Sequence, residues 1–175
     1  MAEQTGAGFR PTDPVGRILF DVSRALALAG GGVLALMAAM TTVSVTGRAF
    51  FRAPIPGDFE LIEIGLSVAV FAFLPYCQIA GANVIVDFFT HGAPARLKAV
   101  LDAIGSLVFA LIAAVLLWRH GLGAIDMYEV GETTMILNLP RWWSFPVAVA
   151  CLALLLAACL YTLWRSIREV RAGPP

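Results

Sequence analysis

Glu60 and Glu63 are the residues whose type and spacing most invite chemistry, two carboxylates one helical turn apart at the head of a charge-free run. That run closes on a second polar cluster, Asn83-Val-Ile-Val-Asp87. Carboxylates facing the inside of a helical membrane protein often mark proton or cation paths. About 23 residues separate Glu63 from Asp87, roughly 34 Å of α-helix and enough to cross a hydrocarbon core of about 30 Å. At 100° per residue Glu60, Glu63, Ser67 and Gln78 fall within a stripe of about 60°. Phe71 and Leu74 fill the middle of that stripe. A polar stripe is not tolerated by lipid, so it must face protein. Both acids sit at the mouth of the helix, and Arg48 and Arg52 lie just across the preceding loop. An ion-pair or interface role therefore fits them better than ion carriage.

Other chemistry is thinly represented. His91 and His120 fall in opposite loops and so cannot clamp a haem or share a metal. Cys77, Cys151 and Cys159 lie inside apolar segments without metal-ligand spacing and behave there as small hydrophobes. The chain has no phosphate-binding glycine loop, no nucleophile beside a base and no basic patch with interleaved aromatics for nucleic acid. The sequence predicts a non-enzyme with no catalytic residue, no metal and no cofactor.

The elements that position the stripe are membrane helices. Of 175 residues, 59% are hydrophobic and 14% charged, more apolar surface than a soluble domain of this size can hide. The fold class expected is an all-α membrane protein, residues 1–175 forming one domain with four transmembrane helices at about 24–47, 59–81, 97–119 and 142–165. The apolar start is full length and its flank holds Pro11, Asp13, Pro14 and Asp21, which does not read as a cleaved signal peptide. Eight basic residues fall to the two termini and the second loop, four to the first and third loops. The positive-inside rule then places both termini in the cytoplasm. Trp118, Trp142 and Trp143 are expected as outer interface anchors, with Tyr161 and Trp164 as inner ones. Short interfacial amphipathic helices are expected in two loops: around Val84–Phe89 inside, and around Asp126, Glu129 and Glu132 outside. In the first helix Ala27, Gly31, Ala35, Ala38 and Thr42 form a small-residue packing stripe. Pro75 is expected to kink the second helix.

Taken in order, Glu60-x-x-Glu63, Asn83-x-x-x-Asp87, Gly131-x-Thr133-Thr134 and Leu139-Pro140-x-Trp142-Trp143 resemble the small permease subunit, DctQ type, of tripartite ATP-independent periplasmic (TRAP) transporters. The resemblance covers about Arg17 to Arg168. Asn83 stands where that family often has histidine. What the resemblance implies is a supporting subunit in a bacterial inner membrane. There a periplasmic substrate-binding protein captures an organic acid, and a large permease subunit carries it inward on a sodium gradient, with sodium coupling in that large subunit. Glu60, Glu63, Ser67, Gln78, Asn83 and Asp87 would be subunit-interface or structural residues, and Asp126 and Glu129 would help dock the capture protein. Two alternatives from other classes are a membrane anchor of a redox complex and a self-sufficient small transporter. The first needs histidines on facing helices, the second a carboxylate in mid-membrane.

Overall fold

The computed structural model describes residues 13–52, 55–80 and 95–172. Four helices account for nearly all of them: α1 (Pro14–Thr46), α2 (Asp58–Ile79), α3 (Ala95–Val130) and α4 (Ser144–Ala172). All four are long and apolar enough to cross a membrane. Among the described residues there is no strand, only a single bridge between Thr133 and Pro140.

Each helix begins or ends at residues whose backbone preference demands it. Pro14 opens α1, where its fixed φ suits the first helical position and its missing N–H costs nothing. α1 therefore starts ten residues before the expected Arg24. At 33 residues it is about 50 Å long, and its first turns carry Arg17, Asp21 and Arg24 beyond the apolar span. At its far end Gly47–Phe51 widen into a π-helical turn that stops at Arg52, whose φ of 53° is left-handed. Inside α1 the hydroxyls of Thr41, Thr42 and Thr46 each donate to the carbonyl four residues back, so they need no partner in lipid. Gly57, at φ 75°, turns the chain into α2, whose first turn holds Asp58 and Glu60 against the positive end of the helix. α2 contains Pro75 buried within a continuous helix.

The third helix differs most from expectation. It does not end near residue 119 but continues to Val130, 36 residues or about 54 Å. The outer interfacial helix expected around Asp126 and Glu129 is thus the last turns of α3 itself. No glycine or proline stops the helix until Gly131, which adopts φ 67° and lets its N–H bond the Met127 carbonyl at 3.2 Å. Trp118 accordingly lies three turns inside the helix, 67% exposed on its apolar surface, and not at its outer end. The inner interfacial segment, with Asn83 and Asp87, lies outside the described residues.

α4 is the centre of the molecule. Of its apolar window 44% is buried, against 28% for α2 and 11% each for α1 and α3. On one side Ala110 and Ala113 of α3 meet Leu152, Leu155 and Cys159 of α4, with Phe71 and Leu74 of α2 packed on them. Nearer the other end of α2, Phe20 of α1 joins Ile79 of α2 and Ala158 and Tyr161 of α4. The helices are therefore arrayed in the order α1–α2–α4–α3, with α1 and α3 as flanks that expose most of their surface.

The α1 packing face is displaced from the expected stripe. Gly30, not Gly31, is the buried glycine, and a Cβ there would stand 3.0 Å from the Cβ of Ala72. Nothing lies within 4 Å of the corresponding point at Gly31. Ala35, Ala38 and Thr42 are exposed. Phe20, Ser23, Gly30 and Ser44 face inward at helical spacing instead.

Candidate functional site

Glu60, Glu63 and Gln78 of the α2 stripe find bonding partners within their own chain, and Ser67 borders a cleft. At the N-terminal end of α2, the Glu60 carboxylate accepts from two successive backbone groups: Oε1 from the Ile136 N–H at 2.7 Å and Oε2 from the Leu137 N–H at 2.9 Å. Three residues on, Glu63 pairs with Arg141 at 3.7 Å, both side chains well exposed, a rim contact that contributes little to stability. Ser67 borders a cleft of about 200 Å³ with Glu63, Met127, Thr134, Ser144 and Phe145. Phe71 packs edge-on to the His120 ring, centroids 5.0 Å apart, and His120 also meets Phe145 at 6.2 Å. At the C-terminal end of α2, the Gln78 amide donates to the Thr162 hydroxyl at 3.1 Å, and that hydroxyl donates to the Cys159 carbonyl at 2.9 Å.

Glu60 therefore works as a latch. The segment it holds follows α3 and precedes α4, and its own bonds make it a compact hairpin. The Thr134 N–H donates to the Leu139 carbonyl at 2.9 Å, the Leu139 N–H to the Thr134 hydroxyl at 3.0 Å, and the Arg141 N–H to the Glu132 carbonyl at 3.0 Å. Asn138 makes the reversal at φ 51°, a conformation that asparagine tolerates better than most residues. The tip folds back over the start of α2, where Leu137 rests on Gly57. A carboxylate with two oxygens suits two adjacent N–H groups, and such charge-assisted bonds are about twice as strong as neutral ones. The motif Gly131-x-Thr133-Thr134…Leu139-Pro140 is thus a helix stop, a hairpin and a lead into α4, whose 3₁₀ turn Arg141–Trp143 sets Trp142 against Tyr128 at 5.5 Å.

Sequence reasoning missed a second cluster beside the latch. Asp58 is buried, 8% exposed, and its Oδ2 accepts from the Ser44 hydroxyl at 2.6 Å and from Arg48 at 3.5 Å. Its Oδ1 accepts from the Phe59 N–H at 2.9 Å, and the Ile55 N–H donates to the Ser44 oxygen at 3.3 Å. Asp58 so ties the end of α1 to the start of α2. The arginine assignment changes with it: Arg48 serves Asp58, and Arg141, from the other side of the chain, serves Glu63. A serine in the last turns of an apolar helix and an aspartate directly after a glycine were the available signals.

Among the expected anchors, Trp142 and Trp143 stand at the head of α4, and Trp164 lies near its far end with Tyr161 at 6.2 Å and the Arg168 guanidinium 4.0 Å over its ring. Asp126 and Glu129 are exposed on the last turns of α3. No group of three or more His, Cys, Asp or Glu able to hold a metal occurs among the described residues. The arrangement holds helices and a hairpin in register.

A buried amide-to-hydroxyl bond in a membrane protein is worth about 0.6 kcal/mol on average. A double-mutant cycle with Gln78→Leu and Thr162→Val is expected to return a coupling of about that size in unfolding measurements. A coupling near zero would mean that the pair does not hold α2 to α4.

Residues 37–169 match the family model described as tripartite ATP-independent periplasmic transporters, DctQ component. No curated protein and no solved structure matches the chain.

Proposed function

The chain belongs to the DctQ component family of tripartite ATP-independent periplasmic transporters, and from that premise we propose that it braces a large permease subunit in a bacterial inner membrane. In this reading a periplasmic substrate-binding protein delivers an organic acid, and the large subunit moves it inward by sodium symport. The family match over residues 37–169 carries the proposal. Its helical array supports the same reading. A brace needs polar groups satisfied internally, and the α2 stripe is spent on α4, the hairpin and Arg141. It also needs broad apolar flanks for a neighbour, which α1 and α3 provide.

We place the large subunit against the open α1 face bearing Gly31, Ala35, Ala38 and Thr42, where small residues permit close helix approach. The hairpin held by Glu60, with Met135 98% exposed at its tip, and the acidic turn of Asp126 and Glu129 would face the capture protein. In the same reading four crossings bring both termini to one side, and the excess of basic residues there supports placing that side in the cytoplasm. Asn83 and Asp87 would act as structural residues at the inner end of the same seam.

Reconstitution tests this. Proteoliposomes holding the chain with its cognate large permease, supplied with the capture protein, are expected to accumulate substrate only under an inward sodium gradient and only when all three parts are present. Uptake by this chain alone would favour the self-sufficient transporter. Visible haem absorbance in the purified chain would favour the redox anchor.

A further inference from the structure

We propose that a groove between the first turns of α1 and the last turns of α4 seats an anionic phospholipid, its acyl chains against the apolar walls and its phosphate among arginines at the rim. The groove encloses about 780 Å³ and is lined chiefly by Val15, Ile18 and Leu19 on α1 and by Ala157, Leu160 and Trp164 on α4. Val15 and Ile18 are 61% and 66% exposed, so these helices do not fill it themselves.

Its depth decides what kind of occupant it suits. Phe20 of α1 packs against Ile79, the last residue of α2, and α2 at 22 residues is about as long as the hydrocarbon core is thick. The α1 residues before Phe20 therefore lie beyond the level of Ile79, toward the end of the span. Apolar walls at that level call for an amphiphile, because water gains nothing there and a wholly apolar ligand would leave its polar surroundings unmet. The groove extends over about seven residues of α1, roughly 10 Å, a third of what a spanning helix would need as a seat.

The charge around it selects the headgroup. Arg17 of α1 and Arg165 and Arg168 of α4 lie on the same helix ends but outside the lining, whose one charged residue is Asp13; Asp21 and Glu169 are the other acids of those ends. Arg168 is exposed, and its guanidinium lies 4.0 Å over the Trp164 ring, which fixes a cation at the rim beside the groove wall. Tyr161 donates its hydroxyl to Asp13 at 3.4 Å, which ties that carboxylate to α4 and leaves its charge in place. Basic pockets between membrane helices at the cytoplasmic boundary are where anionic lipid headgroups bind. The inference does not depend on which protein partners the chain takes.

Tryptophan quenching tests it in the full chain, in nanodiscs, with Trp118→Phe, Trp142→Phe and Trp143→Phe leaving Trp164 as the sole tryptophan. Brominated phosphatidylglycerol is expected to half-quench Trp164 at a mole fraction about fivefold lower than brominated phosphatidylcholine. Arg168→Gln should remove most of that preference and Arg168→Lys should retain it, with helix content checked by circular dichroism. Arg24→Gln, on an exposed α1 position outside the groove, should leave it intact. Equal quenching by the two lipids overturns the proposal. So does an equal loss of preference in Arg24→Gln, which would mean diffuse surface charge. Loss of quenching when the chain is assembled with its large permease would assign the groove to a protein segment instead.

Discussion

Replacing Glu60 with alanine will release the hairpin between α3 and α4 from α2. Two successive N–H groups, of Ile136 and Leu137, lose their acceptors together, along with the Thr134 hydroxyl and Met135 backbone that also reach this carboxylate. The hairpin's remaining bonds, from Thr134 to Leu139 and from Arg141 to Glu132, close it on itself and leave its orientation free. Amide exchange in the segment 133–139 is expected to accelerate on the order of tenfold to a hundredfold, the range for losing bonds to a charged acceptor. Glu60→Gln keeps the size but offers one acceptor oxygen and turns an NH₂ toward the second N–H, so it should fall between. Gly57→Ala reaches the same tip from beneath. Its φ of 75° disfavours any side chain, and the new Cβ would stand 2.5 Å from Leu137 Cγ. Both substitutions should loosen the hairpin while exchange near Gln78 and Thr162 stays as in the parent chain. Unchanged exchange in Glu60→Ala would mean that the hairpin is held by packing, and the latch would be discarded.

The α2 stripe was legible because it rests on one helix and one period. Glu60, Glu63, Ser67 and Gln78 fall together by arithmetic, and lipid excludes such a face whatever surrounds it. What periodicity does not contain is which protein covers the stripe. The cover came from residues far along the chain, Ile136 and Leu137 for Glu60 and Thr162 for Gln78, and pairings at that separation follow from tertiary packing alone. Asp58 escaped notice for a related reason: beside two glutamates it reads as one more acid in a helix's first turn, and only the approach of Ser44 buries it. α3 outruns its expected end near residue 119 because the apolar span and the amphipathic segment around Asp126 and Glu129 form one continuous helix. Asp126 and Glu129 are compatible with helix, and the residue able to end it is Gly131. The offset between Gly30 and Gly31 has the same origin, since three consecutive glycines carry no pattern that says which one a neighbour approaches.

That offset gives the sharpest contrast between folding and assembly. Gly30→Leu will force α1 from α2, whereas Gly31→Leu will leave the chain folded and act only on its association. At position 30 a Cβ meets the Cβ of Ala72 at 3.0 Å and the Ala69 carbonyl oxygen at 3.3 Å, a helix face with no flexible side-chain end to yield. Extra methylenes in a packed contact cost about 1–3 kcal/mol, and the gain in helix propensity on leaving glycine, up to about 1 kcal/mol, does not offset that. At position 31 the space is open, so only the propensity gain remains and the isolated chain should be slightly more heat-resistant. If the α1 face meets a helix of the large permease through small residues, the same leucine must hold the two backbones apart. Co-purification of the large subunit should then fall sharply with Gly31→Leu while the thermal midpoint of the isolated chain holds or rises. Gly30→Leu should lower the midpoint first and lose the partner as a consequence. Full recovery of the large subunit with Gly31→Leu would move the contact off this face of α1 and leave the other flank of the array, α3, as the surface that meets it.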